Sequence, residues 1–323
     1  YQVEQALRRM NLVEGVEVEF LPLLGTVMNR EKLDAVMRGY GVETVYHAAA
    51  YKHVPLVESN VIEGVRNNVL GTLTCAEAAE AAGVDLFVLI STDKAVRPTN
   101  VMGASKRFAE ELLQAMQQRG SRTRFVMVRF GNVLGSSGSV VPLFQQQILS
   151  GGPVTVTHPE ITRYFMTLSE AGELVLQAGS MGDGGEVFVL DMGEPVKIDG
   201  LARRMIHLMG HNVRSEEHPG GDIEIVYTGL RPGEKLFEEL LIGEAAADTA
   251  HPRIFSAREA MQEETLVSKT LKSLESALAS GDVMAVRQAL CESVPGYLPS
   301  GQEADLVAGA GKDARKKESR SAS

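Results

Sequence analysis

Apolar residues over the first 130 positions follow two alternating patterns. Short continuous apolar runs, typical of strands buried on both faces, alternate with longer stretches whose apolar residues recur at helical spacing. Residues 1–10 read as a helix already under way, with no capping residue before it. A strand over 16–23, a helix over 31–39 and a strand over 44–48 follow. Next come a long helix over 67–82 stopped by Gly83, a buried strand over 84–90, a helix over 103–118 stopped by Gly120, and a strand over 124–130. This βαβα order predicts an α/β fold with a parallel, doubly wound, Rossmann-like sheet.

A dinucleotide-binding sheet of this kind should open with a strand and a glycine loop that cradles a pyrophosphate. No such unit occurs. Gly135-Ser136-Ser137-Gly138 follows the wrong strand, and the glycines between 182 and 185 read as a turn from helix to strand. The expectation is therefore a sheet lacking its first strand, its glycine loop and its second strand.

Beyond Phe130 the alternation gives way to Gly- and Pro-punctuated segments. A strand over 186–190 is expected to return to the main sheet. A helix over 198–209, a strand over 223–227 and a helix over 235–241 are expected to build a smaller C-terminal lobe. A helical stretch over 265–290, broken near Gly281, follows. The expected division is 1–150 for the truncated dinucleotide-binding unit with the catalytic residues, and 151–298 for a substrate lobe with some segments returning to the main sheet. Residues 299–323, rich in Ser, Gly, Ala and mixed charge, are expected to be a disordered tail.

Composition narrows the partners. A net charge of −10 argues against a nucleic-acid surface, which needs clustered Lys and Arg. It leaves room for a small anion held by a few local cations. Cys75 and Cys291 match no metal spacing, so no metal site is expected and a reducing, cytoplasmic compartment is inferred. No apolar run approaches the roughly 18–20 residues needed to span a bilayer, so this chain is expected to make no membrane contact.

The chemistry concentrates between Ser91 and Lys106. A hydroxyl, a carboxylate and an amine (Thr92, Asp93, Lys94) sit at the C-terminal end of a predicted strand, where open α/β sheets keep their active sites. Met102 and Lys106 stand four apart on one face of the next helix. Short-chain dehydrogenases keep Tyr-x-x-x-Lys at that place, and Met cannot accept the proton that Tyr accepts there.

Five segments in order carry a resemblance: His47-Ala-Ala-Ala-Tyr-Lys-His-Val-Pro-Leu-Val-Glu58, Asn67-Asn-Val-Leu-Gly-Thr72, Ser91-Thr-Asp-Lys94, Arg97-Pro-Thr-Asn-Val-Met-Gly-Ala-Ser-Lys-Arg107 and Arg129-Phe-Gly-Asn-Val-Leu-Gly-Ser136. Together they resemble the polysaccharide-biosynthesis branch of the extended short-chain dehydrogenases, the 4,6-dehydratases acting on UDP-N-acetylglucosamine. Met102 resembles the large, membrane-anchored members rather than the small ones that keep Tyr. The resemblance covers roughly residues 1–295.

The resemblance implies a UDP-sugar substrate, NAD as cofactor with NADP also admissible, and a homodimer pairing through the 67–82 and 103–118 helices. It also implies a longer parent protein anchored at the cytoplasmic face of the inner membrane. Thr92 would relay the carbon 4 hydroxyl proton, Asp93 would be the acid for the departing carbon 6 hydroxyl, and Lys94 the base at carbon 5. Asp93 would have to be protonated and Lys94 neutral, which burial favours. Lys106 would hold the nicotinamide ribose, with Ser91, Ala48, Ala49, Ala50 and Asn68 beside the cofactor and Asn68 or its neighbour Asn67 also bracing the active-site helix. Gly25-Thr26-Val27 departs from the usual Gly-Asp, which weakens the adenine contact. Asn132, Lys52 and His53 would line the sugar-nucleotide site. Arg163 and Arg231, with Glu234 in the same Arg-Pro-Gly-Glu-Lys stretch as Arg231, would suit a diphosphate. The alternatives are another extended short-chain enzyme, an epimerase or an oxidoreductase, and a catalytically silent, cofactor-deficient fragment.

Overall fold

The computed structural model describes residues 2–14, 18–136, 138–216, 218–239, 246–259 and 261–299. The first half runs α1 (Gln2–Glu14), α2 (Arg30–Gly39), β1 (Thr44–His47), α3 (Val54–Glu58) and α4 (Val61–Val65), then a π-turn over Arg66–Leu70. It continues with α5 (Gly71–Ala82), β2 (Leu86–Ile90), α6 (Val101–Gln118) and β3 (Arg124–Arg129). Then follow β4 (Asn132–Val133), α7 (Val140–Leu149), β5 (Val154–Val156), β6 (Thr162–Arg163), β7 (Phe165–Met166) and α8 (Leu168–Met181). The last part holds β8 (Val187–Leu190), β9 (Val196–Lys197), α9 (Ile198–Leu208), β10 (Val213–Arg214), β11 (Ile223–Tyr227), β12 (Ala246–Asp248), β13 (Ile254–Ala257), α10 (Glu264–Ser280) and α11 (Val283–Ser293).

The main sheet has the order β1-β2-β3-β8-β13-β12, parallel from β1 to β8 and antiparallel beyond. Alternate strand residues divide between two cores, as the pleat requires. Phe87, Leu89, Phe125 and Met127 pack with α5 and α6 residues such as Ala76 and Leu113. Val88, Val126 and Val128 face Leu174 and Ala178 of α8. Burial on both faces explains the unbroken apolar runs, and it confirms the doubly wound α/β class.

The smaller lobe is a parallel sheet, β10-β11-β5. Its core joins Phe144 and Ile148 of α7 to Ala202 and Ile206 of α9. It therefore takes in α7, which lies before the expected boundary at 151.

Helices α10 and α11 form a hairpin separated by Gly281, whose positive φ of 69° suits a residue without Cβ. They pack on α4 and α6, where Leu274, Leu278, Val286 and Leu290 share a core with Val61, Val65, Phe108 and Leu112. Helix α6 is buried at every residue from Val101 to Met116. Within the chain, α10 and α11 thus cover part of α6, one of the two helices expected to pair in a homodimer.

Other expectations change as well. Residues 18–23 form no strand. The segment leaves Val18, Leu21 and Leu23 about half exposed, and no strand among the described residues pairs with the outer edge of β1. A strand is completed by a ladder partner, and no ladder joins 18–23 to β1 among the described residues. Residues 16 and 17 lie outside the described residues, as do 300–323 of the expected tail. The 67–82 helix starts further upstream as α4 and passes through the π-turn, which carries Asn67 and Asn68. Residues 235–239 are not helical. The Lys235 and Leu236 carbonyls accept hydrogen bonds from Arg163 at 2.9 and 3.3 Å, which draws the backbone away from helical pairing. Residues 240 and 241 are outside the described set.

Candidate active site

Strands β1, β2 and β3 end at one edge of the sheet. Past β2 the chain turns through a single 3₁₀ turn, Asp93–Ala95, capped by the Thr92 side chain, which accepts from the Lys94 N–H at 3.3 Å. The Asp93 N–H donates to the Phe130 carbonyl at 3.1 Å, fastening the turn to the end of β3. The next helix, α6, is capped by Asn100, whose side chain accepts from the Gly103 N–H at 2.8 Å. A Cβ on Gly103 would overlap the Lys94 carbonyl, so only glycine lets α6 approach the turn this closely.

Within the turn the three groups are in contact. Asp93 Oδ1 accepts from the Thr92 hydroxyl at 2.9 Å and from Lys94 Nζ at 2.9 Å. Asp93 is 2 % exposed, and its other oxygen is buried without a hydrogen-bond partner. Lys94 Nζ also lies 3.6 Å from Glu238 Oε1. Burial alone pulls the Lys94 pKa down, as expected from the sequence. The Asp93 carboxylate and then Glu238 more than offset it, so the ammonium is held above its ordinary range. Lys94 rests here as a charged partner of two carboxylates, contrary to the expectation of a neutral amine.

Lys106 differs. Its Nζ is buried with no partner, and burial lowers its pKa to about 8 against a weaker pull upward from Glu110. Met102, one turn earlier, lines the same cleft and also packs into the core with α3 and α4. His47 is pushed down to about 3, first by burial and then by Lys106, so it is neutral. Its Nε2 lies 3.0 Å from the Thr72 hydroxyl, which itself donates to the Asn68 carbonyl at 2.8 Å. The His47 proton therefore sits on Nε2.

A cleft of about 850 Å³ opens between the sheet edge and the smaller lobe. Ser91, Thr92, Lys94, Met102 and Lys106 line it, together with Ala48 and Ala50. The orphaned Lys106 amine, beside small side chains on the β1 exit, fits a cofactor with ribose hydroxyls. Ala49 is not among the lining residues. Its carbonyl accepts from Asn67 Nδ2 at 2.8 Å. The Ser91 hydroxyl donates to Glu110 at 2.5 Å. Asn68 is fully buried and joined to protein on every side: it accepts from the Tyr51 N–H at 2.8 Å and donates to the Tyr51 carbonyl and the Ser105 hydroxyl, both at 3.0 Å. It joins α6 to the β1 loop and has no side-chain atom left for the cofactor contact expected of it.

On the substrate side Lys52, His53, Asn132, Arg231 and Glu234 all reach the cleft. Lys52 Nζ donates to the Ser136 hydroxyl at 3.3 Å, and burial lowers its pKa. The His53 ring lies against Gly138, where a Cβ would overlap it. Arg163 touches the cleft, but its guanidinium serves the protein. It donates to the Thr162 carbonyl at 2.7 Å, to the Lys235 and Leu236 carbonyls, and to Glu234 at 3.3 Å. Glu234 in turn accepts from Arg163, the Thr157 hydroxyl and the Arg231 N–H. Arg163 and Glu234 thus hold a strap, residues 231–239, rather than standing free for a diphosphate. The Arg231 guanidinium makes no such contact among the described residues.

Two features escaped the sequence reading. Glu238 reaches Lys94 from the strap, and the 234/238 acid spacing was its faint signal. Behind Ser91, a buried network joins Glu110, Arg129, Arg107 and Glu259, with Arg129 fully buried and 2.6 Å from both Glu110 and Glu259. Its signal was a charge-rich run inside an otherwise buried helix. Among the described residues no cluster of His, Cys, Asp and Glu could hold a metal ion, and no helix is long and apolar enough to cross a membrane.

A family model described as "Polysaccharide biosynthesis protein" matches residues 1–259. The chain belongs to this family. It is 56% identical over 241 residues to the capsular polysaccharide biosynthesis protein CapD of Staphylococcus aureus, covering 75% of this chain and 39% of that protein. It is 53% identical over 241 residues to the probable polysaccharide biosynthesis protein EpsC of Bacillus subtilis, covering 74% of this chain and 39% of that one. The chain thus spans about two fifths of the length of these relatives. Among solved structures, Pen from Bacillus thuringiensis shares the fold with a TM-score of 0.68 and 34% identity, over 81% of this chain and 78% of that one. The family's fold is the extended short-chain dehydrogenase form of the doubly wound sheet.

Proposed function

We propose that the chain carries the catalytic unit of an NAD-dependent nucleotide-sugar 4,6-dehydratase that converts UDP-N-acetylglucosamine to its 4-keto-6-deoxy form in surface polysaccharide biosynthesis. The observation that carries this reading is the hydrogen-bonded set Thr92, Asp93 and Lys94, with Met102 where a proton-accepting Tyr would otherwise stand. Bound NAD supplies the hydride acceptor at carbon 4 and the donor at carbon 6. Lys106, with the small side chains of Ala48 and Ala50, would hold it. The proton transfers fall to the protein.

Proton balance orders the roles. The carbon 4 hydroxyl loses a proton, which passes through the Thr92 hydroxyl to Asp93 along the existing 2.9 Å hydrogen bond. Neutral Lys94 then takes the carbon 5 proton, while Asp93-H gives its proton to the departing carbon 6 hydroxyl, which leaves as water. Lys94-H⁺ finally returns a proton to carbon 5. Asp93 ends as a carboxylate and Lys94 as an amine, the state in which the cycle began. The carbon 4 hydroxyl proton has left within the water. The cycle thus starts one proton below the resting ion pair, so Lys94 must deprotonate before each series of turnovers.

Arg231 would engage the diphosphate, with Asn132, Lys52 and His53 along the nucleotide and sugar. The reading includes a longer, membrane-anchored protein with this unit on the cytoplasmic side; the 39% span on both relatives supports the greater length alone. The test is to give the full-length protein UDP-N-acetylglucosamine and weigh the product. Loss of one water with no net NADH is expected. Net NADH would mean an oxidoreductase, and an isomer of unchanged mass an epimerase.

A further inference from the structure

The strap of residues 231–239 crosses from the smaller lobe onto the active-site turn at several points. Asn100 Nδ2 donates to the Gly233 carbonyl at 3.0 Å and Lys235 Nζ to the Val96 carbonyl at 3.1 Å. Arg97, held in the left-handed region at φ 40°, pairs with Glu239. Strain at a non-glycine residue persists only where its surroundings impose it. Glu238 is 8 % exposed, with Oε1 lying 3.6 Å from Lys94 Nζ and 3.8 Å from Arg163 Nε and Oε2 buried without a partner. A half-satisfied buried carboxylate is costly for packing alone.

We infer that Glu238 is a positioning residue for Lys94: it aims the side chain into the cleft and supplies the fixed negative charge against which Lys94 gains and loses its proton. Three charged groups face Lys94. Asp93 lies on its own turn, Glu238 on the strap and Arg163 on β6; the first two favour the ammonium and Arg163 opposes it. On the dehydratase reading, Asp93 is already protonated when Lys94 takes the carbon 5 proton, so its charge is absent at that step. Glu238 takes part in no transfer, and its charge remains. It therefore makes Lys94 the stronger base for carbon 5 and keeps the ammonium in place for the return of the proton. The identity of that proton rests on the proposed function, whereas the Lys94–Glu238 pairing does not.

Two measurements test the inference. In this chain, acetic anhydride reactivity of Lys94 is followed by mass spectrometry across pH in the wild type, Glu238→Gln and Glu238→Asp. The half-point is expected at lower pH in Glu238→Gln, with Glu238→Asp nearer the wild type. An unmoved half-point overturns the inference. In the full-length protein, the acid limb of kcat for UDP-N-acetylglucosamine is expected to shift to lower pH in Glu238→Gln. Its plateau should fall by up to about tenfold, a fraction of what a general base supplies, with KM changed by less than about twofold. A raised KM or lowered Tm with the limb unmoved would mean that Glu238 only docks the strap, which also overturns it. If the wild type removes no water from the sugar, the dehydratase reading falls, and the acetylation series still decides the pairing.

Discussion

The Lys94 ammonium and the Asp93 carboxylate, consecutive in the chain, meet at 2.9 Å because the 3₁₀ turn folds one side chain back on the other. This contact sets the pH dependence. Lys94 works as a base only after losing a proton, and Asp93 and Glu238 hold its pKa above the ordinary lysine range. Turnover should therefore rise with pH through the neutral and alkaline range. Lys94→Ala should lower kcat by roughly 10²–10⁴-fold, the usual contribution of a general base, and abolish exchange of the carbon 5 proton with solvent deuterium. Exchange that persists in Lys94→Ala would remove Lys94 from that role.

Lys106 should trade stability for binding. Its folded pKa of about 8 lies below the unfolded 10.5, so between these values the unfolded chain binds more protons. Stability contributed at this site therefore rises with pH across that window. Lys106→Met removes a buried, unpartnered ammonium and should stabilise the chain at pH 7 by about 1–3 kcal/mol. The difference from wild type should shrink toward pH 10. NAD affinity should drop by roughly ten- to a hundredfold as charge-assisted hydrogen bonds are lost. Denaturant melts at both pH values and a cofactor titration check the two effects.

The active-site turn and its helix were legible because each local signal agrees with the tertiary structure. The run ending at Ile90 is buried on both faces, and Asn100 caps the helix carrying Met102 and Lys106. The strap was not legible. Residues 235–241 have a helix-like apolar spacing, but Arg163, 72 residues before Lys235, takes the carbonyls that a helix would use. The same long-range contact hid the role of Arg163, whose charge alone suggests a diphosphate. Residues 18–23 look like a strand, but strand formation depends on a neighbour that a local pattern cannot show. The resting charge of Lys94 was not legible for a similar reason: burial is visible in an apolar context, whereas Glu238 arrives from 144 residues away.

Arg163 and Arg231 should separate under mutation, although both line the cleft. Arg163 holds the strap through the Lys235 carbonyl at 2.9 Å and Glu234 at 3.3 Å, whereas the Arg231 guanidinium has no such partner among the described residues. Arg163→Ala should destabilise the chain by about 2–4 kcal/mol, since it leaves buried carbonyls and carboxylates unpaired. Arg231→Ala should leave Tm within a degree or two and raise KM for the UDP-sugar by roughly tenfold or more. Equal losses of stability in the two variants would contradict this division.

The network behind Ser91 gives two adjacent carboxylates opposite pH signatures. Burial raises the Glu110 pKa less than Arg129 and Arg107 lower it, so its folded pKa falls to about 2 from 4.5. Its stabilisation is complete above pH 4.5 and disappears as pH falls toward 2. Glu111 is raised to about 8, mainly by burial, and Glu110 and Glu259 add to the effect against Arg107 and Arg129. Its folded form keeps a proton that the unfolded chain has lost, so this site costs stability as pH rises from 4.5 to 8. Glu110→Gln should therefore destabilise the chain at pH 7 by about 3–5 kcal/mol, because it breaks a buried pair and leaves Arg129 underpaired. Glu111→Gln should flatten the decline between pH 4.5 and 8 and leave the chain at least as stable as wild type at pH 8. Denaturant melts of both variants from pH 4 to 9 measure the signs directly. A Glu111→Gln curve that runs parallel to wild type across this window would show that Glu111 is ionised in the folded chain, balanced by the 3.2 Å approach of Arg107 Nε.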